Sequence, residues 1–320
     1  MPHVSAEPET AFIGRSEAMR EVFARLKQAA ASTAPVFITG ESGSGKELCA
    51  RALHEEGPRA SGPFVAVNCA AIPSELAESE FFGHVRGAFT GASEARRGHA
   101  EMAHGGTLFL DEICEMDPVL QGKLLRFLET GMVRPVGGSA ERRVDVRIIC
   151  ATNRDPQREV REGRFRADLF WRLHVLPVSL PPLRERGGDI LLLARHFLDR
   201  FAREEGRRPM RIGADAERLM LSHSWPGNVR QLQNVLRQIV VFHEAPELTA
   251  EMLAPLLPPD HAPAVPRPQA APPRLRVLER RAIEEAIASC GGSIPRAARV
   301  LGVAPSTIYR KRQAWRDTGS

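Results

Sequence analysis

From Ala11 to about Ala254 the chain alternates short apolar runs with stretches whose apolar residues recur at helical spacing. VFIT (36–39), FVAV (64–67), TLFL (107–110) and VRIICAT (146–152) are mostly apolar rather than alternating. Strands of that kind are buried on both faces, and helices between them indicate a parallel α/β sheet. After roughly residue 187 the strand signals stop. HFLDRFAREEG, ADAERLMLSHS and NVRQLQNVLRQIVVFHE are helical by spacing. The pattern predicts an α/β subdomain over 11–186 and an all-helical subdomain over 187–254. Residues 1–10 read as a polar tail without period.

The pattern then breaks. Residues 255–273 hold eight of the 25 prolines, the composition of an extended, semi-rigid linker. Beyond it, over 274–320, a compact helical domain is predicted. Leu275, Leu278, Ala282, Ile283, Ala286, Ile287 and Cys290 form one face of a first helix over 275–290. Gly291–Gly292 end it, and Ser293 is placed to cap the next. Ile294, Ala297, Ala298 and Leu301 lead into Gly302, and a second pattern follows from Pro305. A short helix, a glycine turn and a second helix make a helix-turn-helix. Charge agrees with that reading. Between Arg274 and Arg316 ten Lys/Arg face three acids, a local +7 in a chain of formal net charge +5, which leaves −2 for the rest. A basic end on a near-neutral body fits a DNA-binding appendage, and a solvated basic face or a helical dimerisation module fits it too.

Composition excludes whole classes. The 320 residues are 43 % hydrophobic, enough for real cores, so wholesale disorder is excluded. No run approaches the roughly 18 apolar residues of a membrane span, and no signal peptide opens the chain, so a cytoplasmic protein is expected. Cys49, Cys69, Cys114, Cys150 and Cys290 are odd in number and form no CxxC pair, which supports neither a disulfide framework nor a structural zinc site.

The chemistry begins at GESGSGKE. Gly40, Glu41, Ser42, Gly43, Ser44, Gly45 and Lys46 follow an apolar run and precede a helical pattern, which is the context a P-loop requires. The glycines let backbone N–H groups turn toward phosphate, and the helix N-terminus adds positive potential. Lys46 is placed to reach the β- and γ-phosphates. Glu47 stands where the generic motif has a magnesium-binding Ser or Thr. Some 65 residues on, TLFLDE ends in Asp111 and Glu112. An apolar strand ending in two acids reads as a Walker B segment. Asp111 is the expected Mg2+ ligand and Glu112 the group that polarises the attacking water. A DE pair alone is usually a polar strand end, and its pairing with the P-loop decides for catalysis.

With these motifs fixed, Gly87-Ala88-Phe89-Thr90-Gly91-Ala92 becomes diagnostic. It resembles the GAFTGA loop of bacterial enhancer-binding proteins, the NtrC-like AAA+ activators of sigma-54 RNA polymerase. GESGSGKE, Glu47 included, is that family's usual P-loop. The resemblance runs from about Phe12 to Trp315. FITGESGSGKE, TLFLDEICEMD and WPGNVRQLQNVLR are similar to the quorum-sensing LuxO branch. The implied fold is an AAA+ parallel sheet with a helical lid, followed by a small all-α domain of the Fis type.

The resemblance also implies roles. Asn68 matches a switch asparagine that interacts with Glu112; read without the family, it is an Asn satisfying backbone at a strand end. Thr152 and Asn153 match sensor I, and Arg230 matches sensor II. Ile13 and Gly14 join the nucleotide-binding set. Arg166 and Arg172 match arginine fingers that act on a neighbouring subunit's ATP, and otherwise are two arginines on a solvated face. Fingers acting in trans require a ring, a hexamer or heptamer. Phe89 and Thr90 are the implied contacts with sigma-54. In the second helix of the terminal domain, Ser306, Thr307, Tyr309, Arg310 and Lys311 are candidate DNA contacts. Arg can read guanine, while Ser, Thr and Lys can hold phosphate and Tyr309 can contact backbone or pack.

The function implied is an ATP-hydrolysing, Mg2+-dependent activator that binds enhancer DNA and remodels the sigma-54 holoenzyme. A DNA-binding regulator that binds nucleotide without remodelling, and a generic AAA+ remodeller, are the alternatives. Many family members carry an N-terminal receiver or ligand-sensing domain. About ten residues precede the ATPase in this sequence, so control in trans or a removed segment are both expected readings.

Overall fold

A computed structural model describes residues 12–89, 92–257, 283–284, 286–287 and 290–317. The polar tail, Thr90 and Gly91, most of the Pro-rich segment and much of the first helix of the terminal domain lie outside the described residues. The chain forms two compact units, Met1–Asp260 and His261–Ser320.

Five parallel strands build the main sheet: β1 (Val36–Thr39), β2 (Phe64–Asn68), β3 (Thr107–Asp111), β4 (Arg147–Thr152) and β5 (Leu176–Ser179), in the order β2-β3-β4-β1-β5. Alternation along each strand divides the apolar side chains between two cores. Val36, Ile38, Phe109, Ile149 and Ala151 face one layer, with Met19, Val22 and Leu26 of α1 (Glu17–Ala30) and Cys49, Ala50 and Leu53 of α2 (Lys46–Glu55). Phe37, Leu108, Leu110, Ile148 and Cys150 face the other. There they meet Leu120, Leu124 and Phe127 of α3 (Pro118–Thr130) and Leu169, Phe170 and Leu173 of α4 (Ala167–Leu173). Helices on both faces explain why the strands read as continuous apolar runs. The fifth strand escapes the pattern because Pro177 interrupts it. It lies at the sheet edge, where a missing N–H is tolerated.

Arg147 is the exception within the first core. It is buried, and its guanidinium donates to the carbonyls of Ala29 (2.6 Å), Ala30 (3.2 Å) and Leu53 (3.1 Å), satisfying the C-terminal ends of α1 and α2 together. Arg147→Met therefore leaves three carbonyls without their charged donor. We expect a loss of about 3 kcal/mol or more in urea-unfolding stability, and a change under 1 kcal/mol would refute the capping role.

The lid carries α5 (Asp189–Glu204), α6 (Ala214–Ser222) and α7 (Asn228–Phe242) around a core of Phe197, Phe201, Met220, Trp225, Leu236 and Ile239. It is not wholly helical. Arg211–Ile212 pair in parallel with Glu247–Leu248. Two-residue strands are too short to show a period of two, so the sequence pattern passes over them. In the second unit, α8 (Ile294–Val300) and α9 (Pro305–Asp317) are joined through Gly302, whose φ of 66° is left-handed. Ala297, Ala298, Ile308, Ile283 and Ala286 form its core. Ser293 stands at the N-cap of α8, but its side chain makes no capping hydrogen bond.

A candidate nucleotide site between sheet and lid

The loop from Gly40 to Gly45 joins β1 to α2 at the carboxyl ends of the strands, where ligands of parallel sheets bind. Gly43 (φ 75°) and Gly45 (φ 102°) occupy left-handed conformations that a side chain would strain. A Cβ on Gly43 would also collide with the carbonyl oxygen of Gly227 and lie 3.0 Å from the Arg230 side chain. Gly45 stands at the N-cap of α2 without any side-chain hydrogen bond, so no capping side chain occupies the first N–H groups of that helix, where anions bind.

Lys46 is buried (7 % exposed) and donates to the carbonyls of Gly40 (3.0 Å) and Glu41 (3.4 Å). Its Nζ lies 3.4 Å from Glu112 Oε1, so the two motifs, 66 residues apart, meet as read from the sequence. Glu112 has φ 51°, rare for a non-glycine residue and costing about 1–3 kcal/mol. Its Oε2 accepts the Asn153 N–H at 3.0 Å. The strained backbone thus turns Glu112 out of the line of β3. Asp111 accepts the Glu112 N–H at 3.1 Å. Burial, and then the Glu112 charge, hold its carboxyl above the ordinary aspartate value, with Lys46 opposing.

These groups line a cavity of about 440 Å³, walled on one side by Ser42, Gly43, Gly45, Lys46, Glu47 and Leu48. Asn68, Asp111 and Glu112 stand at the sheet edge, and Phe197, Arg200, Val229, Arg230 and Gln233 come from the lid. Glu47 is exposed and paired with Arg51 at 2.9 Å. Asn68 lines the cavity, but its Oδ1 accepts the N–H of Ala70 at 2.9 Å, the backbone role of a strand-end Asn. Among the described residues it makes no hydrogen bond to Glu112. Thr152 is buried at the end of β4, and its carbonyl accepts the Gly40 N–H at 3.3 Å. Arg230 reaches Ser42 Oγ at 3.4 Å.

Some expected members stand apart from the cavity wall. Ile13 packs against the lid core, and Gly14 lies against Met19 and Asp189. Arg166 caps α4 and pairs with Asp168 at 2.7 Å, while Arg172 donates to the Leu128 carbonyl at 3.2 Å. Both are exposed, and neither lines its own chain's cavity.

Sequence reasoning missed the groups that hold the loop under the lid. Arg186 is buried, donates to the Ser44 carbonyl at 2.6 Å, and is pulled down to about 10 by burial. Arg184 and Asn228 hold Glu41. The signal available was WPGN, a turn sequence whose Asn tolerates a left-handed backbone. All five cysteines are free thiols, and burial pushes Cys114 up to about 11.

Two further segments carry candidate contacts. Gly87 (φ 78°) donates to the Ala92 carbonyl at 2.8 Å, closing the base of the Gly87–Ala92 loop. Ala88 packs against Gly137. Phe89 is 39 % exposed, its ring 5.1 Å from that of His84. In α9, Ser306, Tyr309 and Arg310 are exposed and Thr307 and Lys311 are half-buried, while Ile308 faces the core. Among the described residues no helix is long and apolar enough to cross a membrane.

Three family descriptions match the chain: a sigma-54 interaction domain over residues 12–179, an AAA+ ATPase lid domain over 184–268, and a bacterial regulatory protein of the Fis family over 274–315. The regulatory protein LuxO of Vibrio parahaemolyticus is 54 % identical over 312 residues, covering 95 % of this chain and 69 % of its own length. The Nif-specific regulatory protein of Azotobacter vinelandii is 44 % identical over 94 % of this chain and 58 % of its own length. Crystal structures of NtrX from Brucella abortus with ADP and with ATP superpose with TM-scores of 0.73 and 0.71, at 37 % and 38 % identity. Each covers 96 % of this chain and 69 % of the NtrX chain.

Proposed function

The chain belongs to the sigma-54-dependent transcriptional regulators, with an AAA+ ATPase domain and a Fis-type helix-turn-helix, and from that premise we propose that it is an enhancer-bound activator that spends ATP on opening promoter complexes. The observation carrying the proposal is Lys46 facing Glu112 across 3.4 Å inside one cavity, with the uncapped N-terminus of α2 beside them. The loop N–H groups and Lys46 bind the phosphates of ATP. Glu112, aimed by its backbone and by the Asn153 N–H, orients the attacking water and accepts its proton. Arg230 covers the phosphate loop from the lid. ADP and phosphate are the products.

Asp111 would hold Mg2+. Its raised carboxyl, beside the Glu112 charge, is a donor set that a divalent cation stabilises. The ion would neutralise phosphate charge when bound. Glu47 brings no hydroxyl to that site, so its part is indirect.

Arg166 and Arg172, exposed and outside their own cavity, suit delivery to a neighbouring subunit, which calls for a closed ring of six or seven copies. The Gly87–Ala92 loop is the element that presses on sigma-54, with Phe89 and Thr90 as its contacts. The basic helix α9 enters the major groove of the enhancer through Ser306, Thr307, Tyr309, Arg310 and Lys311. The site of action is the bacterial cytoplasm.

Thr90→Ala tests the division of labour. We expect transcription in vitro from an enhancer-bearing sigma-54 promoter to be lost, with ATP hydrolysis within about threefold of wild type, because Gly87, Ala88, Phe89 and Ala92, the described residues of the loop, do not line the nucleotide cavity. Transcription that survives the substitution would remove the loop from the mechanism.

A further inference from the structure

The lid is fastened to the phosphate loop by polar contacts that none of the roles above uses. Arg184 Nη1 and Nη2 donate separately to Glu41 Oε2 (2.9 Å) and Oε1 (2.7 Å), a bidentate pair across 143 residues of sequence. Asn228 joins both sides. Its Nδ2 donates to Glu41 Oε2 and to the Ser42 carbonyl, each at 3.0 Å. Its Oδ1 accepts the Leu183 N–H at 2.7 Å. Asn228 is fully buried, with a left-handed φ of 51°. That backbone, which Asn tolerates, is closed by the Asn228 N–H donating to the Trp225 carbonyl at 2.8 Å.

The cavity lies between these two partners. Ser42 to Leu48 form one wall, and Phe197, Val229, Arg230 and Gln233 of the lid form the other. Parting these walls breaks the Glu41 contacts. The Arg184 and Glu41 side chains are 35 % and 42 % exposed, so water can compete for their bond, whereas Asn228 is sealed. The Glu41 carboxylate touches no group of the reaction. Its backbone carbonyl, however, accepts from Lys46 at 3.4 Å, so a shift of Glu41 moves a partner of the phosphate-binding lysine.

We propose that Glu41, Arg184 and Asn228 form a latch between lid and phosphate loop, and that its opening governs the release of nucleoside diphosphate. They are positioning residues. The inference rests on the nucleotide site proposed above, and the test separates the two.

The experiment is stopped-flow dissociation of a fluorescent ADP analogue from the full chain, with ATP titrations of turnover. Arg184→Ala and Glu41→Gln should each speed dissociation about tenfold, the scale of one charge-assisted hydrogen bond discounted for partial exposure. The double variant should be no faster than either single variant, because all three disrupt the same Arg184–Glu41 pair. Arg184→Ala should raise KM for ATP about tenfold and leave kcat within about threefold. Arg184→Lys, which keeps charge and loses the fork, should fall between. Asn228→Gly, which accepts the same backbone and lacks the side chain, should also release faster. Release at the wild-type rate in these variants, or effects that multiply in the double variant, would overturn the latch. Lys46→Ala is the control for the site itself. Undiminished binding of the analogue by that variant would remove the nucleotide site, and the latch with it. Lost binding there, with normal release from the Arg184 and Glu41 variants, would remove the latch alone.

Discussion

Lys46→Ala should yield no transcripts from an enhancer-bearing sigma-54 promoter and should lower ATP turnover by at least about 10³-fold, while enhancer binding stays at the wild-type level. The size of the effect follows from what Lys46 touches. It is the cation facing Glu112 within the cavity, and it ties the carbonyls of Gly40 and Glu41 into the phosphate loop. Removing it takes away the charge proposed to meet the β- and γ-phosphates. It also takes from Glu112 its ion-pair partner and from Asp111 the cation that lowers its carboxyl. Lys46 opposes the rise of the Asp111 carboxyl, so in its absence burial and Glu112 lift that group further toward the neutral form. One substitution therefore weakens phosphate binding and the acid expected to hold Mg2+ together. The DNA-binding unit has its own core of Ala297, Ala298 and Ile308 and should not respond. Gel-shift and transcription assays on the same preparations check both halves. Transcripts from wild type alone establish an ATP-driven activator. No transcripts from either protein, with DNA bound by both, would point to a regulator that binds nucleotide and DNA without remodelling.

How much of this was legible in the sequence depended on how local the signal was. The phosphate loop announces itself because its chemistry sits in one turn, between one strand and one helix. The three inner strands were legible because burial on both faces leaves an apolar run, and β2, at one margin, because FVAV is apolar although only Val67 is buried. The edge strand β5 was not, since Pro177 is tolerated only by its place at the margin, and that place is a tertiary fact. The pairing of Arg211–Ile212 with Glu247–Leu248 is shorter than any period. Glu41, Arg184 and Asn228 carry no adjacency at all. Their meeting is a product of the lid folding over the sheet, and only the left-handed tolerance of Asn in WPGN hinted at it. Asn68 shows the opposite limit. Its place at the strand end was legible, and there its Oδ1 accepts the Ala70 N–H, the backbone role open to any strand-end Asn.

Arg172→Ala and Arg166→Ala should each lower kcat by about 10³-fold or more with little change in nucleotide affinity, because an arginine supplied to the γ-phosphoryl group acts on charge that develops in the transition state. The geometry favours delivery from a neighbour. Both residues are exposed on or beside α4, and neither lines the cavity of its own chain. Between them on the same short helix stands Trp171, 70 % exposed, with Val175 49 % exposed nearby. An exposed tryptophan beside two arginines is the composition of a protein contact. A head-to-tail contact of that kind would place one subunit's α4 against the next subunit's phosphate loop, and it gives the proposed ring where the rotation between subunits closes. Each variant alone should be inactive. Mixing Arg172→Ala with Lys46→Ala subunits should restore turnover, since an intact phosphate loop from the first then faces an intact arginine from the second at roughly a quarter of the interfaces. The recovered activity should rise with protein concentration, as expected of a site assembled from two chains. Mixtures as inactive as their components, at concentrations where both variants assemble, would place the arginines in a structural role and return catalysis to the single chain.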